Sequence, residues 1–159
     1  MKRVALLLLP FAAACASLPG GGADTGAESP NAAIQQFLAA TRRKDLTAMA
    51  SVWGTEKGPA SKNMSQQELE RRELIMIQCL PHDQATLGAP APSEAGRLRI
   101  PVDLTLLALK AKPVFTVVRG PKDRWYVENF EIDQLRDQGF CGAATASPAP
   151  PPEPPPGPR

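Results

Sequence analysis

The feature that most constrains the fold is a change of period near Pro81. Up to "IMIQCLP" the apolar residues recur at helical spacing; beyond it they alternate. In "RLRIPVDLTL", Leu98, Ile100, Val102, Leu104 and Leu106 fall on one side and Arg97, Arg99, Asp103 and Thr105 on the other. That is the pattern of a strand half-buried on one face. "VFTVV" and "RWYVENFEI" read as two more strands joined by a turn at "RGPKDR", and "HDQATLGA" is a candidate for a shorter first strand. Pro101 cannot donate to a ladder, so it predicts an edge position or a bulge. Helices first and strands after describe an α+β domain: N-terminal helices packed on a curved antiparallel sheet of three to four strands.

The helical half divides at its caps. Ser29 caps a first helix with Pro30 at its opening position, and Ala33, Ile34, Phe37, Leu38 and Thr41 form one stripe. Asp45 caps a second, carrying Leu46, Met49, Ala50 and Trp53 up to Gly54. "GTEKGPASKN" reads as a loop. Ser65 and Glu68 make a capping-box pattern ahead of a third helix with Leu69, Met76 and Leu80 on one side and Ile75 and Cys79 beside them.

Both ends differ from this core. Met1-Lys2-Arg3 precedes "VALLLLPFAAA", too short to cross a bilayer, and the small residues Ala12 to Ala14 lead to Cys15. This resembles a bacterial lipobox, with Ala12 where leucine is favoured. The resemblance implies cleavage after residue 14, acylation of Cys15 and anchoring in the cell envelope. Ala16 in place of an aspartate points to the outer membrane, facing the periplasm, where two membranes exist. The alternative is an ordinary signal peptide with Cys15 incidental. Residues 15–28 then form a Gly-rich tether, residues 29–141 the domain, and residues 142–159 a tail. Eight prolines between Pro148 and Pro158 make that tail extended or disordered.

Charge excludes one partner class. Of the 18 basic residues Lys2 and Arg3 fall in the leader, so the processed chain balances its 16 acidic residues. Arg42-Arg43-Lys44 and Arg71-Arg72 are short clusters read as solvated helix faces. A nucleic-acid partner is not expected.

From Pro30 to about Ile132, the helix "AAIQQFLAATRRKDLTAMASVW" followed by the strand "DRWYVENFEI" is similar to the nuclear-transport-factor-2-like superfamily, which includes ketosteroid isomerase. The resemblance implies a cone-shaped domain with an interior cavity. Residues 54–64 are too short and polar to supply fully the small hairpin such domains often carry. No catalytic residue carries over: alternation places Tyr126, the only tyrosine, opposite an inward Trp125, and Asp103 toward solvent. His82, the only histidine, adjoins Asp83, but adjacent strand residues point apart, so neither a catalytic pair nor a metal site is expected. Phe37, Trp53, Met76, Phe115 and Trp125 read either as core or as the lining of a cavity for a small apolar ligand.

Cys79 and Cys141 are expected to form a disulfide in an oxidising compartment; the alternative is one buried and one exposed thiol. The sequence therefore points to a lipid-anchored, non-enzymatic domain binding a small apolar ligand or an envelope protein, without cofactor or metal. An isomerase- or hydrolase-like enzyme and a structural envelope lipoprotein are the alternatives. Oligomeric state is not legible.

Overall fold

The computed structural model describes residues 25–142. The leader, Cys15 and nearly all of the proline-rich tail lie outside them. Five helices and eight strands follow in the order α1 (Pro30–Arg43), α2 (Leu46–Val52), β1 (Gly54–Thr55), β2 (Gly58–Pro59), α3 (Ala60–Asn63), α4 (Gln66–Cys79), β3 (Gln84–Leu87), β4 (Ala91–Pro92), β5 (Leu98–Leu106), β6 (Leu109–Ala111), β7 (Val114–Arg119), β8 (Trp125–Phe130) and α5 (Ile132–Asp137). The fold is α+β, with an open antiparallel sheet of main order β3-β5-β7-β8. β4 and β6 extend the ladders on either side of β5, so the sheet has six strands where three to four were expected.

The three predicted caps all form: Ser29 accepts from the Ala32 amide, Asp45 from Ala48 and Ser65 from Glu68. Each satisfies an amide that the first helical turn leaves without a partner. The α1 stripe is fully buried at Ile34 and Phe37. It meets Ile100, Val102, Phe115, Val117 and Val127 from the inner sheet face. Burial of each side chain of this size contributes about 1.5–3 kcal/mol to holding α1 on the sheet.

Several boundaries differ from expectation. Thr25 to Glu28, assigned to the tether, belong to the domain: Ala27 is fully buried and exchanges backbone hydrogen bonds with Trp125 along the outer edge of β8. Trp53 bridges Val127 on that same strand. Residues 54–59, read as loop, form the two-residue strands of a hairpin, followed by the single turn of α3. Pro101 is not on an edge, because β5 is flanked on both sides. Its missing N–H coincides with the break between β3 and β4, where Leu87 pairs with Val102 and Ala91 with Arg99, leaving one extra residue opposite it.

The last strand ends earlier than the sequence suggested. Phe130 closes β8, and Ile132 opens α5, which brings Leu135 and Phe140 into the core with no exposed surface. Cys141 is thereby delivered to the end of α4, where it forms the disulfide with Cys79. The Gly142 amide also donates to the Gln78 carbonyl at 2.9 Å.

Candidate functional site

A concavity of about 530 Å³ lies between α4 and β8, lined by Trp53, Arg72, Ile75, Met76, Glu128, Asn129, Phe130 and Ile132. Its shape follows from a bulge. Thr116 pairs with Asn129 but Val117 with Val127, leaving Glu128 as the extra residue. Strict alternation would put Phe130 and Val127 on opposite faces; the bulge lets Val127 pack in the core and Phe130 stack on Phe115 at 5.2 Å.

Glu128 is displaced sideways by the same bulge and meets Arg97. The guanidinium donates through Nε at 2.5 Å and Nη2 at 2.6 Å, a two-pronged contact that raises the Arg97 pKa. Arg97 also reaches Glu56 in the turn between β1 and β2 at 3.3 Å. The one carboxylate lining the groove is thus held by the protein's own cation. What remains is an apolar floor with Asn129 beside it and Arg72, whose Nε donates to Glu68 at 2.6 Å, at its edge, an arrangement that can hold an apolar body.

Of the five residues proposed as a lining, the structure brings Trp53 and Met76 together in this groove. Phe37 and Phe115 lie one layer deeper, fully buried against Phe130. Trp125 is half-buried at the far end of β8 under the Arg119 guanidinium, 5.3 Å from its ring. Ile75 and Phe130 were missed as lining residues. Ile75 stands on the flank of α4 rather than its core stripe, and Phe130 depends on a bulge that no local pattern announces.

The remaining polar candidates are elsewhere. His82 is 7% exposed and its Nδ1–H donates to the Leu80 carbonyl at 2.8 Å, while burial pushes its pKa down. Asp83 does not pair with it; its carboxylate accepts from the Leu107 amide at 2.8 Å and closes the β5–β6 turn. Tyr126 does lie on the face opposite Trp125 but is only 1% exposed, correcting the expectation that it faces out. Thr25, Gly26 and Gly120 close over its ring, and a Cβ on Gly26 would sit 2.7 Å from it. Asp103 is exposed and pairs with Lys112 at 3.1 Å.

A carboxyl that the sequence reading passed over is Glu73. It occupies the α4 stripe between Leu69 and Met76, is 1% exposed, and its Oε1 has no hydrogen-bond partner. Burial, and secondarily the charge of Glu70, raise its pKa to about 7. Its position on the helix was readable, since residues 69, 73, 76 and 80 share one face, but its charge argued for solvent.

No group of three or more His, Cys, Asp or Glu side chains among the described residues could hold a metal ion. No described helix is long and apolar enough to cross a membrane. The chain matches no protein-family model, no curated protein and no solved structure.

Proposed function

We propose that this chain is a lipid-anchored envelope protein whose α+β domain, of nuclear-transport-factor-2-like design, binds a small apolar ligand in the groove between α4 and β8. The observation that carries the binding role is the groove itself: Trp53, Ile75, Met76, Phe130 and Ile132 surround about 530 Å³ whose only carboxylate is occupied by Arg97. Helices followed by an open antiparallel sheet, with a small hairpin ahead of α4, support the cone-like design.

The anchor rests on the residues before the domain. Lys2-Arg3, the apolar run and Ala12–Ala14 lead to Cys15, and residues 16–24 then provide a spacer reaching at most about 30 Å. Acyl chains contribute about 0.8 kcal/mol per buried methylene, so two or more on Cys15 hold a domain at a bilayer stably. The Cys79–Cys141 disulfide supports an oxidising compartment outside the cytosol.

The groove favours binding over catalysis because neither His82 nor Tyr126 lines it and Glu128 is committed to Arg97. The test is titration of the intact protein in mild detergent with the neutral fluorescent probe N-phenyl-1-naphthylamine. Binding with energy transfer from tryptophan is expected, and Ile75→Glu, at a position already 47% exposed, weakens it about tenfold or more by placing a charge on the apolar wall. Unchanged affinity in that variant would remove the groove as the binding site.

A further inference from the structure

α4 has a second concavity on its other side, about 310 Å³, bounded by α2, α3 and the entry segment at Thr25. Unlike the groove, it is bordered by a carboxyl with no partner from the protein: Glu73, 1% exposed, whose Oε1 accepts no hydrogen bond. Thr25, Thr47, Ser51 and Ser61 line the same space, with Leu69 and Ala50 as its apolar wall.

The hydrogen-bond directions define what fits. Ser51 donates its hydroxyl proton to the Ala48 carbonyl at 2.7 Å, so its oxygen can only accept from the pocket. Tyr126 donates its phenol proton to the Thr25 carbonyl, so the Thr25 hydroxyl donates to the phenol oxygen at 3.1 Å and likewise retains only acceptor capacity. Two of the lining hydroxyls therefore offer only acceptor oxygens, Thr47, Ser61 and Gln66 can turn either an acceptor or a donor, and the carboxyl beside them has no donor from the protein. A ligand that satisfies it brings several N–H donors and a positive charge, with a short apolar stem against Leu69 and Ala50.

We propose that this pocket is a second binding site, taking a small primary ammonium ligand with Glu73 as its counter-ion and the Ser51 and Thr25 oxygens as further acceptors. The site is independent of the apolar groove. Its residues on α2, α3 and at Thr25 carry no ionisable group, α1 and α5 contribute none to it, and Glu70 is the one charge acting on Glu73. With the carboxyl titrating at about pH 7, ammonium binding strengthens as pH rises through that value. A bound ammonium in turn pulls the midpoint down.

The test uses the full-length chain in mild detergent, with glutamate side-chain carboxyls labelled with carbon-13, titrated with n-butylamine hydrochloride and, separately, with 1-butanol. Butylammonium is expected to move the Glu73 carboxyl resonance and lower its midpoint, and to bind about tenfold or more tightly than the alcohol. Glu73→Gln removes that preference, Ser51→Ala weakens amine binding about threefold, and neither alters phenylnaphthylamine binding in the groove. Equal binding of amine and alcohol, an unmoved Glu73 resonance, or full amine affinity in Glu73→Gln would each overturn the proposal. Should Glu73→Gln fail to fold, the amine–alcohol comparison in the unsubstituted chain and the Ser51→Ala titration decide it.

Discussion

The two sides of α4 treat a carboxylate in opposite ways. Toward β8, Glu128 is gripped by both arms of the Arg97 guanidinium, and the groove beside it is left apolar. Toward α2, Glu73 sits deeper, with one oxygen unpartnered and a pKa raised to about 7. A charge matched by the protein fixes structure, here the bulge of β8 and its link to the β1–β2 turn. A charge left unmatched lowers stability and persists only where something else compensates, which is why it marks a site.

The largest expected effect tests whether the two sides depend on one wall. The disulfide closes a loop across 62 positions and pins the C-terminal end of α4. Replacing Cys79 and Cys141 together by alanine should cost about 4 kcal/mol in the chain-entropy account, read from denaturant unfolding with and without reductant. Both binding sites should weaken together in the variant. Loss of one alone would separate them.

Next in size is the Glu73 carboxyl. Its folded value lies above the unfolded 4.5, so the fold favours the protonated form: stability is full below about 4.5 and falls as pH rises to about 7. The loss amounts to about 3 kcal/mol across that window. Glu73→Gln should flatten this limb of the pH–stability curve and raise stability above neutral pH. His82 acts with the opposite sign: its lowered value means that stability is lost as pH falls through 6.5, and this acid limb should survive in Glu73→Gln. An unchanged alkaline limb in the variant would show that Glu73 is not the group responsible.

The smaller effects address each wall separately. Ile75→Glu should reduce probe affinity in the groove about tenfold while leaving the amine pocket intact. Asp45→Ala removes the oxygen that accepts from the Ala48 amide at 2.9 Å and should cost about 1 kcal/mol. Because Leu46 to Ser51 of α2 line the Glu73 pocket whereas the groove is reached only by Trp53 at the far cap of that helix, amine binding should respond more than probe binding.

What the sequence conveyed and what it withheld follow from the range of the interactions. Ser29, Asp45 and Ser65 could be placed because a cap is a contact between residues three apart, and the α1 stripe because one helix face is enough to define it. The alternation of β5 was legible for the same reason. Glu128 was not, because a bulge is decided by pairing with β7 rather than by "WYVENF" itself. Tyr126 was misplaced because its cover comes from Thr25 and Gly26, about a hundred residues earlier in the chain. Most of the candidate site shared this fate: Trp53 and Met76 were found from helical spacing, whereas Phe37 and Phe115 lie in the core, Trp125 lies at the far end of β8, and Ile75 and Phe130 were overlooked.

The most direct measurement of the central claim is native mass spectrometry of the full-length protein extracted from its own membranes in mild detergent, followed by the denatured intact mass. The account predicts a chain beginning at Cys15 with acyl mass added, and a small apolar adduct that is lost on denaturation. A chain retaining residues 1–14 with Cys15 unmodified, and no adduct in the native spectrum, would contradict it.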